Sequence, residues 1–266
     1  MIDSFTFHKG TLPLLISVPH DGRLLSSDMQ GVMSEAGKSL SDTDWHVTKL
    51  YEFARNLGAS MITANYSRYV VDLNRPADDS ALYAGQVATG LCPLQTFAGE
   101  DIYAGEVVVD TEYRVNRYWR PYHERLEAML AELCAAHGYA LLWDAHSIAS
   151  RVPALFDGKL PTLNIGTWDG RSCGSDIAHA VTAIAENSPY DAVLNARFKG
   201  GYITRHYGRP DNNVHAIQLE VAQRAYMDEV TTGYDAQKAS QLRDSLTAML
   251  DAFIKTAAAN VVIMRE

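Results

Sequence analysis

Two histidines and one glutamate stand at the ends of hydrophobic runs. His20 ends the run LLISVPH, His146 ends YALLWDAH, and Glu220 ends VHAIQLE. Runs of this length are typical of buried strands, and in open α/β sheets functional residues collect beyond the carboxyl ends of the strands. The pattern therefore indicates a metal site with a carboxylate base beside it.

Aspartates lie close to these histidines in the sequence. Asp144 and His146 are two residues apart, so both side chains face the same way on an extended strand. Asp144 could bind a metal, or it could accept a hydrogen bond from the second ring nitrogen of a ligating histidine. Asp42 and Asp44 stand at the start of a predicted helix, where a carboxylate also serves as a cap. Histidine and aspartate ligands suit Zn²⁺, with Fe²⁺, Mn²⁺ and Co²⁺ as alternatives.

Glu220 has the chemistry of a base beside such a metal. Catalytic zinc commonly has three protein ligands and a water molecule, whose pKa the ion lowers to about 7. A neighbouring carboxylate can take a proton from water and return it to the leaving nitrogen of an amide. The alternative is a structural ion pair, because a glutamate in a hydrophobic strand must be compensated. The position at a strand end favours the catalytic interpretation.

Two arginines could bind an anionic substrate. Arg75 follows a predicted strand and precedes the rigid Pro76, and Arg205 ends the segment KGGYITR. Guanidinium groups bind carboxylates bidentately, and a glycine-containing loop can close over a small anion. On a protein with a formal net charge of −9, these cations would recruit such a substrate locally.

The composition argues against several classes of protein. The net charge of −9 and the pI of about 5.4 argue against nucleic-acid binding, which needs a basic face. No apolar run reaches the roughly 18–20 residues that span a bilayer, and residues 1–10 lack the pattern of a secretory signal. Cys92, Cys134 and Cys173 show no C-x-x-C spacing, which indicates a reducing cytoplasm. Because no H-E-x-x-H, G-x-G-x-x-G or P-loop motif occurs, metal ligands would come from distant parts of the chain.

Alternating strand and helix signals predict an α/β fold with a mostly parallel sheet covered by helices. The strands are predicted at 12–18, 59–65, 68–73, 139–145, 161–166, 192–198 and 214–221, and the helices at 44–57, 111–137, 175–187 and 234–259. No repeat or linker marks a domain boundary. Residues 74–106 are polar and without a clear period, which predicts a long loop or a lid.

A serine-hydrolase interpretation would depend on Ser172. Residues 170–174 (GRSCG) match the nucleophile elbow G-x-S-x-G of α/β-hydrolases. That elbow requires a strand that runs directly into the serine and a helix directly after it. Residues 166–169 separate Ser172 from the predicted strand, so a polar turn explains the match better.

Six short segments carry the candidate residues in a characteristic order. They are residues 17–22 (SVPHDG), 42–45 (DTDW), 67–76 (SRYVVDLNRP), 143–147 (WDAHS), 200–208 (GGYITRHYG) and 216–220 (AIQLE). In this order they resemble the N-formylglutamate amidohydrolases, the deformylases of histidine degradation. The resemblance covers about residues 12–230, and the segments around 67–76 and 200–220 are the most specific.

This resemblance implies a fold, a cofactor and a reaction. It implies a single α/β/α domain over residues 1–266, similar to zinc carboxypeptidases and aminoacylases, with one zinc ion. It also implies hydrolysis of N-formyl-L-glutamate to glutamate and formate. Specificity for formyl over larger acyl groups would then come from a small pocket, which the loop at 74–106 could close. The residues in matching positions are His20, Asp44 and His146 as metal ligands, Glu220 as the base, and Arg75 and Arg205 as carboxylate binders.

The acidic ligand has alternatives. The related carboxypeptidases use H-x-x-E for their first ligand pair, but Arg23 stands at that spacing from His20. The acidic ligand must therefore come from elsewhere. Asp44 is assigned by its position in the motif, and Asp42 or Asp21 could take its place.

Other functions stay open at this point. They are a metal-dependent deacylase for another N-acyl amino acid, a carboxylate-binding protein without catalysis, and the serine hydrolase. The expected partner is a small anionic N-acyl amino acid, and neither nucleic acid nor a membrane is expected. The oligomeric state stays undetermined.

Overall fold

A mixed β-sheet runs through the centre of the protein, in a computed structural model that describes residues 2–81 and 89–263. Its strands are β1 (Phe5–His8), β2 (Leu14–Val18), β3 (Ser60–Ala64), β4 (Ala140–Ile148), β5 (Leu163–Gly166), β6 (Ala192–Leu194) and β7 (Val214–Ala222). The order across the sheet is β1-β3-β2-β4-β7-β5-β6. β1 pairs antiparallel with β3 and β5 with β7, whereas the other neighbours are parallel. The predicted mixed, mostly parallel sheet is confirmed.

Helices cover the sheet. They are α1 (Glu35–Ser39), α2 (Val47–Leu50), α3 (Glu52–Leu57), α4 (Thr111–Arg114), α5 (Arg120–His137), α6 (Ser175–Glu186), α7 (Tyr202–Tyr207) and α8 (Ala236–Ile263). A π-helical turn (Val115–Trp119) joins α4 to α5, and 3₁₀ turns lie at Pro210–Asn212 and Gln223–Ala225. Gly58 and Gly138 end α3 and α5 with φ of 98° and 83°, as expected for glycines in the left-handed region.

Alternation along β4 places its side chains in two different cores. Leu141 and Trp143 pack with α6 and α8 on one face, while Ala140 and Leu142 pack with α5 on the other. Each buried face has its own layer of helices, so the expected three-layer α/β/α arrangement is confirmed.

The structure differs from the predicted strands in three places. Residues 68–73 form turns and not a strand, because buried polar contacts and not sheet pairing hold them. The strand predicted at 192–198 ends at Leu194, since Asn195 turns the chain with φ of 50°. β1 has no counterpart among the predicted strands, and it pairs along an edge of the sheet.

The long segment at 74–106 contains no helix or strand in its described parts, residues 74–81 and 89–106, beyond isolated bridges such as Gln95 with Asp101. Residues 82–88 of the predicted lid lie outside the described residues. Its action as a lid and the single-domain division stay predictions. Within the described part of the chain, no helix is long and apolar enough to cross a membrane.

Arg114 of α4 holds residues 68–73 in place although it is buried, with 1% of its surface exposed. Its guanidinium donates to the carbonyls of Tyr69 (3.4 Å) and Val70 (3.0 Å) and to the Tyr103 hydroxyl (3.2 Å). Asp28 balances the charge at 2.6 Å. The backbone carbonyls of this segment thus bond to a buried cation, where those of a strand would bond to a neighbouring strand.

We predict that Arg114→Ala destabilises the protein by about 3 kcal/mol, since each buried acceptor left without a donor costs about 1–3 kcal/mol. Urea unfolding at equilibrium measures the change. Arg120→Ala is the control, because the exposed Arg120 bonds, among residues 2–81 and 89–263, only to Asn116 of the same helical segment. This variant should change stability by less than about 0.5 kcal/mol. Equal losses in the two variants would contradict the anchoring role.

Candidate active site

The sheet brings the predicted strand ends together. His20 lies just beyond β2, and β4 carries His146 next to it in the sheet. Glu220 of β7 lies directly opposite His146 in the parallel ladder. All three side chains line one cavity of about 120 Å³ at this edge.

Asp44 completes a buried group with the two histidines. Possible ligand atoms of His20, Asp44 and His146 all lie within 4.8 Å of one another. Asp44 Oδ2 lies 3.0 Å from His146 Nδ1 and 3.8 Å from His20 Nδ1. The Asp44 backbone N–H donates to the His20 carbonyl, and Oδ2 accepts from the Ser147 N–H at 3.1 Å. The backbone therefore positions this carboxylate between the two rings.

The second nitrogen of each ring faces a polar partner. His20 Nε2 lies 2.7 Å from Asp72 Oδ1. His146 Nε2 lies 2.9 Å from Asn74 Nδ2 and 3.2 Å from Asp144 Oδ1. Carboxylates that contact the second nitrogen of a metal-binding histidine orient its ring. Of the two roles considered for Asp144, metal ligand or partner of a ligating histidine, its position fits the second.

The residues present fit a zinc ion. His20 Nδ1 is buried and has no hydrogen-bond partner among residues 2–81 and 89–263, which is unusual for a buried nitrogen. It faces Asp44, so an ion between the two would use its lone pair. The set of two imidazoles and one carboxylate is the donor set that catalytic zinc takes.

The charges around the group also favour a cation. Burial lowers the pKa of His146, but the adjacent Asp144 and Asp44 outweigh it and hold that pKa well above its usual value. Burial also lowers the pKa of His20, and here it is the largest effect, so the neutral form of the ring is favoured. A neutral imidazole beside clustered carboxylates is ready to bind a divalent ion.

The two alternative aspartates have other contacts. Asp21 accepts the backbone N–H groups of His46 and Thr48, both at 3.0 Å, and therefore caps α2. Asp42 accepts the Phe97 N–H at 2.8 Å, and burial raises its pKa. Neither belongs to the group of candidate ligands found among the described residues. Among the three aspartates, the candidate metal group therefore contains Asp44, while Asp21 caps the helix.

Glu220 has the environment of a base that can hold a proton. Its surface is 7% exposed, and its carboxylate makes no hydrogen bond to the part of the chain that the structure describes. Burial raises the pKa of Glu220 to about 8, with a further rise from Asp44 and an opposing effect of His146. Raised carboxyl pKa values are typical of groups that exchange protons near neutral pH.

Three arginines line the cavity. Arg68 Nη2 binds Asp72 Oδ2 at 2.6 Å, and Nη1 lies 3.8 Å from Asp44 Oδ1. The Arg75 guanidinium makes no hydrogen bond or ion pair with the described residues. Arg197 donates from Nε to the Leu155 carbonyl at 2.7 Å. The cavity therefore offers cationic groups to an anionic ligand.

Arg205 is placed elsewhere. It lies on α7, its Nε donates to the Gly200 carbonyl at 2.8 Å, and its guanidinium lies 5.9 Å from the centre of the Trp168 ring. It is not among the described residues that line the cavity. Its expected contact with a substrate carboxylate stays a prediction.

Residue-level sequence reasoning missed several polar residues of the cavity. They are Arg68, Asp72, Asn74, Arg197 and Gln218. The first three belong to SRYVVDLNRP, the segment that also supplies Arg75. The charged Arg68 and Asp72 on either side of two valines could have indicated polar contacts in this segment. The prediction of a buried strand at 68–73 drew attention to the valines instead.

Aromatic residues hold this segment from behind. Trp119, at the end of the π-helical turn, donates to the Arg75 carbonyl at 2.9 Å. His123 Nε2 lies 2.9 Å from the Leu73 carbonyl, and its ring stacks on Trp119 with centroids 3.8 Å apart. The backbone on either side of Asn74 is thus fixed, which directs Asn74 and Arg75 into the cavity.

Ser172 lacks the placement of a nucleophile. It is fully buried, and its hydroxyl donates to the Ala216 carbonyl at 2.9 Å. The described lining of the cavity does not include it. The serine-hydrolase interpretation has no support in this geometry.

Sequence comparison decides the family. The family model for N-formylglutamate amidohydrolase matches residues 12–227. The chain belongs to this family. The resemblance drawn from the six segments is therefore confirmed, and with it the expectation of an amidohydrolase.

Relatives match over most of their length. An N-formylglutamate deformylase of Pseudomonas putida is 52% identical over 228 residues, which are 84% of this chain and 85% of the relative. One from Pseudomonas aeruginosa PAO1 is 48% identical over 262 residues, which are 96% and 97% of the two chains.

A crystal structure of an N-formylglutamate amidohydrolase from Ralstonia eutropha JMP134 has the same fold. It superposes with a TM-score of 0.82 at 24% identity and covers 96% of this chain and 99% of its own. A protein of Agrobacterium tumefaciens follows at a TM-score of 0.71 and 18% identity, with 94% and 96% coverage.

We predict that Asp44→Asn lowers zinc affinity by more than about 100-fold, because even outer partners of ligands contribute about 10–100-fold. Competition titration with a chromophoric chelator measures the affinity of the metal-free protein. Asp42→Asn and Asp21→Asn are the controls and should each still bind one zinc ion. If either control lost the metal while Asp44→Asn kept it, the assignment of the acidic ligand would be wrong.

Proposed function

We propose that the protein is a zinc-dependent enzyme that hydrolyses N-formyl-L-glutamate to L-glutamate and formate. The observation that carries this proposal is the buried group of His20, Asp44 and His146 with Glu220 beside it. The names of the relatives from both Pseudomonas species support the substrate. A role of this reaction in histidine degradation, in the cytoplasm, belongs to the same proposal.

His20, Asp44 and His146 would hold the zinc ion. When bound, zinc supplies a Lewis acid for the formyl carbonyl and lowers the pKa of water. Asp72 holds the His20 ring by its other nitrogen, and Asn74 and Asp144 do so for His146. These contacts fix the ring orientations before a substrate enters, so binding need not reorganise the site.

Glu220 would move the proton. As a carboxylate it accepts a proton from water, and as a carboxylic acid it donates that proton to the leaving nitrogen of glutamate. Burial raises the pKa of Glu220, which favours retention of the proton between these two events. Its position opposite His146 in the ladder keeps it next to the candidate metal ligands.

The arginines would divide the negative charge of the substrate. Arg75 lines the cavity and forms no salt bridge with the described residues, although its charge lowers the pKa of Asp72, so it is suited to bind a carboxylate of glutamate. Arg68 is held beside Asp44 by Asp72, where its charge would stabilise negative charge that develops on the carbonyl oxygen. Arg197 adds a third cation to the lining.

We predict that Glu220→Gln lowers kcat/KM for formate release by about 10²–10⁴-fold, the usual range for loss of a general base. Zinc content should stay at the wild-type level, because Glu220 is not part of the ligand group. Formate release coupled to a formate dehydrogenase measures the rate. Glu124→Gln, on an exposed position of α5, is the control and should retain full activity.

Two results would overturn the proposal. One is wild-type-like formate release by Glu220→Gln. The other is activity that survives complete removal of the metal by a chelator. Tight binding of N-formylglutamate without formate release would instead favour the carboxylate-binding protein, which has no use for a base at Glu220.

A further inference from the structure

The active-site cavity shares a wall with a second cavity of about 360 Å³. Phe97, Ser147 and Ile148 line both cavities. Ala149, Val152 and other small or apolar residues line the far side, and the exposed Arg151 lies at its rim. The Phe97 and Ile148 side chains thus form an apolar partition between the site and a space that the proposed reaction does not use.

This partition lies close to the candidate metal ligands. Ile148 follows His146 by two residues on β4, so its side chain lies on the same face of the sheet. The Phe97 ring packs against Arg68, whose guanidinium carbon lies 4.8 Å from the ring centre. Arg68 itself lies 3.8 Å from Asp44. The carbonyl of a substrate bound at the ligands would therefore have Phe97 and Ile148 as apolar neighbours.

The charges decide which part of a substrate faces the partition. Arg68, Arg75 and Arg197 line only the active-site cavity. The second cavity has one exposed guanidinium, Arg151, and also contains the carboxylate of Asp42, so it attracts an anion less than the three arginines do. The two carboxylates of an N-acyl glutamate would stay on the side of the arginines, so the uncharged acyl group is the part that points to Phe97 and Ile148.

Hydrogen bonds and packing hold Phe97 and Ile148 in place between the two cavities. The Phe97 N–H donates to Asp42 Oδ2 at 2.8 Å, and Arg68 covers the ring. Ile148 is 7% exposed and packs in a small apolar cluster with Val152. A carbon chain longer than formyl would have to displace one of these two side chains, and close-packed side chains resist such displacement.

We propose that Phe97 and Ile148 set the acyl-group specificity of the enzyme by closing the second cavity to the substrate. The inference rests on the proposed function and adds its specificity determinants. Removing either side chain would join the cavities and give a longer acyl chain an apolar space. Single methylene differences in such pockets change specificity by about 10–200-fold.

The test compares N-formyl-, N-acetyl- and N-butyryl-L-glutamate on zinc-loaded wild type, Phe97→Ala and Ile148→Ala. We expect the ratio of kcat/KM for butyryl over formyl to rise at least about tenfold in both variants. Val152→Ala is the matched control, since Val152 lines the second cavity and not the active-site cavity, so its loss leaves Phe97 and Ile148 in place and the ratio should stay at the wild-type value. Zinc content is measured in each protein.

A double variant that fills the second cavity tests whether the longer acyl chain occupies that space. Ala149 lines only the second cavity, so Phe97→Ala combined with Ala149→Phe should return the ratio towards the wild-type value. Unchanged ratios in both single variants, or an equal rise in Val152→Ala, would overturn the inference while wild-type formate release persists. Absence of formate release by the wild type would instead refute the proposed function, and this inference with it.

Discussion

The contact of Asp44 with two buried histidines is the constraint on which the rest of the site depends. Asp44 Oδ2 faces Nδ1 of both His20 and His146 in a place from which water is largely excluded. Burying charged and polar groups is costly unless partners compensate them. A divalent cation among these three side chains would supply that compensation, and it would also give His20 Nδ1 the partner that it lacks among the described residues.

The outer contacts of this group tie the layers of the fold together. Asp72 and Asn74, which contact the two histidines, belong to a segment without strand or helix. Arg114 holds that segment at one end, and Trp119 holds it at the other. The ring geometry of the site therefore depends on a helical layer about 40 residues away in the sequence. Packing and polar contacts at a distance thus keep the site preorganised, as sites of this kind require.

Hydrophobic patterns in the sequence predicted the residues at the strand ends, but they did not predict the polar residues that contact them. Hydrophobic runs that stop at His20, His146 and Glu220 identify buried strands, and their side chains meet because parallel strands end at one edge. Asp72 could not be assigned in the same way, since its role comes from a turn held by polar contacts with residues distant in the sequence. Arg205 was predicted from the glycines before it, and the structure places it on α7 with its Nε bonded to the Gly200 carbonyl, so its contact with a substrate stays a prediction.

The position of zinc in crystals of the protein tests the three proposed metal ligands most directly. Anomalous diffraction measured above and below the zinc absorption edge locates the ion without assumptions about the reaction. One peak is expected in contact with Nδ1 of His20, Nδ1 of His146 and the carboxylate of Asp44, with Glu220 beside it and not bound. Fully active crystals with no zinc peak at this group, or with the ion held by Asp42 or Asp21, would contradict this assignment.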